Sequence, residues 1–375
     1  MNKKDYLDLN RKQHVDRLII LLVAGLTIFG TVMIFSASYY DALNSNGNPY
    51  FYLIRQLMWL GISTAAMIFF TVTDYHFWVR FWRLIFVIGL VLLVAVKIPG
   101  VGTTINGATR WIQVGPITLM PGEWAKVGII FFIVGFLRKE PKKVENFAKG
   151  VLPVGIACAI YFVLIMLQPN MSTAATIVLI AAGMLIAAGM KWIQVGLIAL
   201  IGFVCGIGLI FTSDYRSARA LNFINPFEDS LGHGYQVVQG LLALGSGGVF
   251  GKGIGNSVQK NLYLPEPMND FITAIIGEEL GFVGLIALII VYVVLIYRCM
   301  KASMNAEDFT GFLLGVGITT MLGLQVVINL AVVTSSMPPT GVILPFISYG
   351  GNALLIFMSL MGMLLNISKH QKIGS

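Results

Sequence analysis

Charged residues are scarce in this chain: Asp, Glu, Lys and Arg together make up only 11% of its 375 positions. Soluble domains usually carry about 25% charged residues, so a chain built mainly from soluble domains is excluded. Hydrophobic residues fill 57% of the positions instead. This composition is typical of an integral membrane protein, and we expect membrane lipids to surround most of it.

Cysteine is rare as well. The three cysteines, Cys158, Cys205 and Cys299, lie in or beside apolar stretches, and their spacing is not that of a metal site. The sequence therefore predicts neither a disulfide nor a zinc centre. A basic soluble face is also missing, because most cations of this chain of net charge +8 lie in short segments between apolar stretches, so we expect no nucleic acid as partner.

Long apolar stretches are what the chain has in quantity. We predict an all-α polytopic membrane protein and treat residues 1–375 as one membrane domain with a long outer loop at 212–270. Stretches of about 17–25 residues mark membrane-spanning helices. Ten such stretches are predicted, approximately at 18–38, 51–73, 81–98, 122–137, 150–167, 172–189, 193–211, 271–297, 310–334 and 341–367.

The cations predict the orientation of these helices. With ten spans both termini lie on one side, and most of the 25 Lys and Arg residues fall on that side. The positive-inside rule then makes both termini cytoplasmic. The first apolar run is longer than the 7–15 residues of a signal-peptide core, so we predict an uncleaved first helix.

The long outer loop carries several candidate site residues. Arg216 and Arg219 are three residues apart, and Gln236 lies in a mildly amphipathic stretch. A glycine-rich run, residues 245–255, contains Lys252 and is followed by Lys260. Two interpretations are open: the glycine amides hold a diphosphate with the help of Lys252, or the glycines permit the chain to turn tightly back into the membrane.

A second outer loop, Lys97 to Pro121, is rich in glycine and proline and predicts a compact hairpin that presents Trp111. It leads into Glu123 and Lys126, which lie three residues apart on one face of the fourth span. Ionisable groups inside a membrane are expensive, so they are kept where they pair or face a polar cavity. The two residues predict either a structural ion pair or part of a site for an anionic substrate.

Asp270 lies at the start of the eighth predicted span, within the segment LPEPMNDFITAIIGEELGFVG. Desolvation at a membrane boundary can make such a carboxylate a useful proton acceptor. The alternative is that Asp270 simply caps the N-terminus of the helix. Glu278 and Glu279 lie deeper in the same span, and we expect them to be structurally paired.

Several segments together resemble the SEDS family of polytopic membrane proteins (shape, elongation, division and sporulation), to which FtsW, RodA and SpoVE belong. The resemblance covers nearly the whole chain. The matching segments, in family order, are DRLIILLVAGLTIFGTVMIFSAS, NGATRWIQVGPI with GEWAK, QPN and MSTA at 168–174, SGGVFGKGIG, LPEPMNDFITAIIGEELGFVG, INLAVVT and GVILPFISYGG. The chain looks closer to the FtsW and SpoVE branch than to RodA.

The resemblance implies a peptidoglycan glycosyltransferase that polymerises lipid II and releases undecaprenyl diphosphate on the outer face of the bacterial cytoplasmic membrane. By motif, the catalytic aspartate falls on Asp270, the loop tryptophan on Trp111, and the acid and base of the fourth span on Glu123 and Lys126. The chain departs from the family pattern at Asn170, where the family usually has an acid. The resemblance also implies a class B penicillin-binding protein as transpeptidase partner.

The chemistry of glycosyl transfer agrees with these residues. A base must accept the proton of a sugar hydroxyl, and cations must stabilise the departing diphosphate. Asp270 is the catalytic candidate. The predicted substrate-binding residues are Trp111, Glu123, Lys126, Arg216, Arg219, Gln236, Lys252, Lys260 and Glu266. No cofactor is certain; the sequence leaves a divalent cation (Mg or Mn) open, with Asp270, Glu266, Glu228 and Asp229 as candidate ligands.

Two other functions remain open at the level of sequence. A lipid II flippase would also need a path for an amphiphile and buried charges, and a non-catalytic division scaffold would make Asp270 dispensable. The small-residue face of the ninth span, with Gly311, Gly315 and Gly323, predicts a contact with the single membrane helix of the partner.

Overall fold

A computed structural model describes residues 15–105, 108–115, 117–210, 226–230, 232 and 234–370. Helices dominate these ranges. The helices are α1 (Arg17–Asn46), α2 (Phe51–Val72), α3 (Tyr75–Arg80), α4 (Trp82–Ala95), α5 (Pro121–Leu137), α6 (Leu152–Met166), α7 (Met171–Ala187), α8 (Trp192–Ile210), α9 (Tyr235–Gly247), α10 (Ile272–Met304), α11 (Phe309–Val333) and α12 (Gly351–Lys369). A 3₁₀ turn at Pro141–Glu145 and a π turn at Phe147–Val151 precede α6.

The predicted polytopic all-α architecture is confirmed. Within the described ranges six helical segments are long and apolar enough to cross a membrane: α1, α2, Phe147–Met166, α10, α11 and α12. Two shorter apolar helices, α4 and α7, accompany them. The number of ten spans stays a prediction.

The last predicted span begins later than its sequence indicates. Residues 341–350 are not helical, and α12 starts at Gly351. Pro345 lacks a backbone N–H and disfavours a helical conformation for the residue before it. Phe346 has a left-handed φ of 69°, which also interrupts a helix. The apolar run therefore contains an irregular segment packed inside the protein, where Leu344, Phe346 and Ile347 are buried.

Helix ends follow local sequence signals. The Asp16 side chain caps α1 by accepting hydrogen bonds from the backbone N–H groups of Leu18 and Ile19. The same helix ends at Gly47, whose φ of 66° is the left-handed conformation that glycine adopts easily. Asp308 caps α11 in the same way as Asp16 caps α1.

The core lies around α11 and α12. In α12, 83% of the apolar window is buried, and in α11 67%, whereas only 17% of that of α2 and 22% of that of α10 are buried. Since α2 and α10 expose apolar side chains all along their outer faces, their exposed surfaces suit acyl chains of the bilayer. Helix α12 packs mainly on α2, α4 on α5, and α10 on α11.

The glycines of the ninth predicted span correct one expectation. A side chain added at Gly311 would meet the hydroxyl of Tyr75, and one added at Gly315 would meet the side chain of Ser303. Both glycines are buried and bring α11 close to its own neighbours. For Gly311 and Gly315 the prediction of a contact with a partner's membrane helix is therefore wrong, because their faces are already occupied inside the bundle. A side chain added at Gly323 would only touch Ile296, at 3.9 Å, so a contact at Gly323 stays a prediction.

The loop before α5 forms a small antiparallel sheet of β1 (Gly102–Ile105), β2 (Ala108–Val114) and β3 (Ile117–Leu119). Its order is β1-β2-β3, with Thr103 opposite Trp111 and Ile112 opposite Leu119. The predicted hairpin is thus present, with a third strand added. The Arg110 side chain donates to the backbone oxygens of Gln168 and Pro169, which anchors the sheet to the turn between α6 and α7.

The glycine-rich run packs directly on the backbone of α10. Helix α10 is kinked at Gly281, which has φ 68° and ψ −167°. Four backbone hydrogen bonds join the two segments: Lys252 N–H to the Glu278 oxygen, Gly253 N–H to Glu279, Phe282 N–H to Gly248 and Val283 N–H to Val249, at 2.9–3.1 Å. A side chain at Gly251 would collide with the backbone at Glu279. The glycines thus permit a close approach between two backbones.

Candidate active site

Asp270 is buried at the start of α10, with 9% of its surface exposed. The N-cap position of this helix is Phe271, which makes no side-chain capping bond, so Asp270 does not occupy the capping position that one interpretation assigned to it. Its backbone oxygen accepts a 2.7 Å hydrogen bond from Asn329 Nδ2 of α11. The tertiary structure therefore holds the Asp270 backbone from a neighbouring helix.

The segment before Asp270 is held on both sides. Leu264 and Met268 are buried, and the Met268 oxygen accepts a 2.9 Å hydrogen bond from the Tyr349 N–H. On the other side, Gln236 Nε2 of α9 donates to the Pro265 oxygen at 3.4 Å. The structure thus brings Gln236 onto the segment that carries Asp270, and the role of Gln236 toward a substrate stays a prediction.

Glu266 lies on the exposed side of this segment. It has a left-handed φ of 51° and accepts a 2.5 Å hydrogen bond from Asn269 Nδ2. Desolvation and the negative charge of Asp41 raise the pKa of its carboxyl group, and the hydrogen bond from Asn269 opposes them only in part. Glu266 is therefore more easily protonated than an ordinary surface glutamate.

Glu123 and Lys126 form a buried ion pair in the first turns of α5. The Lys126 Nζ lies 2.6 Å from Glu123 Oε1, and both side chains are almost fully buried. Within the described ranges, Glu123 Oε2 is buried without a hydrogen-bond partner. The predicted pairing is confirmed, and the unpartnered oxygen indicates that the pair does not satisfy itself completely. Its role toward a substrate stays a prediction.

The two lysines of the glycine-rich region face the two glutamates of α10. Lys252 Nζ lies 2.6 Å from Glu278 Oε1, and Lys260 Nζ lies 2.8 Å from Glu279 Oε1. Glu278 and Glu279 are fully buried, so their expected structural pairing is confirmed. The Lys252 side chain is 32% exposed, whereas that of Lys260 is 3% exposed. Of the two cations, only Lys252 reaches the surface.

Further hydrogen-bond donors contact the carboxylates of Glu278 and Glu279. Glu278 accepts hydrogen bonds from Ser257 Oγ at 2.5 Å and from the N–H groups of Val258 and Gln259. The Ser36 hydroxyl of α1 lies 2.7 Å from Glu279 Oε1 and 2.9 Å from Lys260 Nζ. Buried charges are tolerated where they are paired and hydrogen-bonded in this way. The network joins α1, the glycine-rich segment and α10.

The remaining predicted site residues are placed as follows. Trp111 lies half-buried in β2, which packs on α5. Arg216 and Arg219 lie outside the described residues. Among the residues that the structure describes, no group of three or more His, Cys, Asp or Glu side chains is placed to hold a metal ion.

Sequence reasoning missed two amides at this site. Asn329 contacts the Asp270 backbone, and Asn352 of α12 accepts a 3.0 Å hydrogen bond from Trp124 Nε1 while donating to the Met120 oxygen at 3.5 Å. Both lie in apolar runs, where a polar side chain is costly unless it has a partner. A polar amide within an apolar run is the sequence signal that could have identified both residues. The partner of each amide is distant in sequence, so the contact itself could not be predicted.

Comparisons with known proteins support one family. Residues 16–373 match the model of the cell cycle proteins FtsW, RodA and SpoVE. Stage V sporulation protein E of Bacillus subtilis (strain 168) is 40% identical, with 96% of this chain and 99% of that protein covered. A probable peptidoglycan glycosyltransferase FtsW of Geobacter sp. (strain M18) is 36% identical, with 97% and 99% covered.

Solved structures share the fold over nearly the whole length. A chain from a peptidoglycan synthase complex, solved to show the structural coordination of polymerization and crosslinking, superposes with a TM-score of 0.77 at 26% identity, covering 96% of this chain and 99% of that one. The rod shape determining protein RodA of Thermus thermophilus gives a TM-score of 0.70 at 25% identity, covering 95% and 97%.

Proposed function

The chain belongs to the FtsW, RodA and SpoVE family of cell cycle proteins, and from this premise we propose that it is a peptidoglycan glycosyltransferase that polymerises lipid II. The observation that carries the proposal is the buried Asp270 at the start of α10, within a segment held by α9, α11 and residues 341–349. An acid in such a place is suited to proton transfer in a partly desolvated site.

In the proposed reaction, a sugar 4-hydroxyl of one lipid-linked chain attacks the anomeric carbon of another. The new carbon–oxygen bond forms as the bond to the diphosphate breaks, with inversion, and undecaprenyl diphosphate leaves with the bonding electron pair. Asp270 accepts the hydroxyl proton. Cations stabilise the negative charge that develops on the diphosphate, and Lys126, Lys252, Arg216 and Arg219 are the candidates.

The multi-pass fold places the protein in the membrane. We further assign the site to the outer face of the bacterial cytoplasmic membrane and both termini to the cytoplasm, on the basis of the cation distribution. The partner is proposed to be a class B penicillin-binding protein. The structural likeness to a chain of a synthase complex that coordinates polymerization with crosslinking supports this partnership.

The test is polymerisation of labelled lipid II by the purified protein, with and without the transpeptidase. Asp270→Asn keeps the size of the side chain but removes the proton acceptor, so we expect turnover to fall by about 10² to 10⁴ while the protein stays monodisperse. Asp74→Asn is the matched control. Asp74 caps α3 in the turn after α2, Asn caps a helix as well as Asp does, and turnover should be unchanged.

Normal polymer from Asp270→Asn would remove this residue from the mechanism. If wild-type protein moved lipid II across vesicle membranes but formed no polymer with its partner present, the flippase interpretation would replace the proposed one.

A further inference from the structure

Asn329 is fully buried near the C-terminal end of α11, and its amide group uses three hydrogen bonds to join three segments. Nδ2 donates to the backbone oxygens of Asp270 at 2.7 Å and Val342 at 2.8 Å. Oδ1 accepts from the hydroxyl of Thr273, in the first turn of α10, at 2.7 Å. One side chain therefore holds the segment before α10, the first turn of α10 and the irregular segment before α12 against α11.

The orientation of this amide is determined by its neighbours. Backbone oxygens only accept hydrogen bonds, so the nitrogen of Asn329 must face Asp270 and Val342. The Thr273 hydroxyl can then donate to the remaining oxygen. Both N–H groups of the amide are used, which leaves little freedom for the side chain to rotate. Such a satisfied buried network specifies one arrangement of the backbone.

We propose that Asn329 is a positioning residue that sets the direction of the Asp270 side chain through the Asp270 backbone oxygen. The inference rests on the proposed function, because it assigns Asn329 to the same reaction. Asn329 does not supply a reacting group. Phe271, which follows Asp270, is fully buried, so the chain on that side of the carbonyl group is packed into the core, and Asn329 holds the carbonyl oxygen itself.

Asn329→Leu tests the proposal because leucine has a similar size but no donor. Without the amide, the oxygens of Asp270 and Val342 lose their shared donor, and the Asp270 backbone can shift. A displacement of about 1 Å at a reacting group costs on the order of 10²-fold, so we expect turnover to fall by about 10- to 100-fold. The dissociation constant for lipid II should stay within about twofold, since binding groups elsewhere are unchanged.

Gln325 provides a matched control. It lies one turn earlier on the same face of α11 and is also fully buried, but within the described ranges neither of its amide atoms has a hydrogen-bond partner. Gln325→Leu makes the same chemical change at a site that holds nothing in place. We expect wild-type turnover from this variant and a stability equal to or above that of wild type.

The measurement is turnover per lipid II-binding molecule, with the number of binding molecules taken from the stoichiometry of lipid II binding. A purely structural role would lower the stoichiometry and leave turnover per bound molecule unchanged, and that result would overturn the proposal. Loss of turnover at full stoichiometry, with Gln325→Leu unaffected, would support it.

If Asn329→Leu does not fold, Thr273→Val tests the positioning role of Asn329 instead. This change keeps the side-chain shape and removes only the hydroxyl that holds Asn329 Oδ1. We expect about a three- to tenfold loss of turnover at unchanged lipid II affinity. Wild-type turnover from folded Thr273→Val would overturn the inference.

The outcome is separable from that of the proposed function. Full activity of Asp270→Asn would refute the role of the aspartate itself. Inactive Asp270→Asn together with fully active, lipid II-binding Asn329→Leu would refute only the positioning role.

Discussion

Lys260 and Glu279 form a buried ion pair, and we expect the loss of one partner to lower mainly the free energy of unfolding. Lys260→Met keeps the apolar stem and removes the charge, which leaves a fully buried Glu279 without its cation. Breaking a buried ion pair by removing one partner typically costs about 3–5 kcal/mol. The Ser36 hydroxyl still donates to Glu279, so we expect a loss near the lower end of that range, about 3 kcal/mol.

The double variant Lys260→Met, Glu279→Gln removes both charges. Glutamine can still accept a hydrogen bond from Ser36, and no buried charge remains, so we expect the free energy of unfolding to return to within about 1 kcal/mol of wild type. Because Lys260 is almost fully buried and already donates to Glu279 and Ser36, we also expect the double variant to keep its polymerase turnover. The comparison separates a structural role of Lys260 from a substrate-binding one.

Lys252→Met is the matched control for this pair. Lys252 is partly exposed, and Glu278 keeps Ser257 and two backbone N–H groups as donors after the lysine is removed. The loss of stability should therefore be smaller than for Lys260→Met. The assay is unfolding in mixed micelles with increasing denaturing detergent, alongside lipid II polymerisation.

Lys260→Met as stable as wild type would refute the reasoning about the buried charge. A stable but inactive double variant would show instead that Lys260 acts on the substrate.

Two further predictions concern the cation of the fourth span and the topology. Lys126→Met should destabilise the protein by about 3–5 kcal/mol, because it leaves a buried Glu123 without its cation. Glu123→Gln together with Lys126→Met should restore stability but not polymerisation, because we expect Lys126 to stabilise the leaving diphosphate, and within the described ranges Glu123 Oε2 has no hydrogen-bond partner, so the pair does not satisfy itself completely. A stable, active double variant in the same two assays would refute a substrate role for Lys126. Cysteines placed at the exposed Asn261 and Lys301 should differ in intact cells, since an impermeant thiol reagent should label the first and not the second; the opposite pattern would invert the topology.

Much of the fold could be predicted from local patterns. Apolar stretches located the helices because a helix satisfies its own backbone hydrogen bonds within one segment, so that its position depends on nearby residues. The cap at Asp308 and the turn at Gly47 follow from neighbouring residues in the same way. The apolar run at 341–350 predicts a helix, but apolar content alone does not distinguish a buried loop from a membrane span. Pro345 is the one local signal against a helix there, because proline lacks a backbone N–H.

The site could be predicted only in part. Asp270, Glu123 and Lys126 stood out because ionisable groups are rare near apolar helices. The inward direction of Gly311 and Gly315 was missed, because glycine permits close packing equally well on either face of a helix. The pairing of Lys260 with Glu279 and of Asn329 with Asp270 joins residues that are 19 and 59 positions apart.

The sequence by itself thus determined the membrane environment, the helix positions and the identities of the charged residues, since these depend on composition and on neighbours along the chain. Only the tertiary structure decided which charges are paired, which glycines pack against other segments of the chain, and which amide holds the Asp270 backbone. These choices depend on distances between separate helices. A hydrogen bond or ion pair requires its two atoms to lie within about 3–4 Å, and only the packing of the bundle sets that separation.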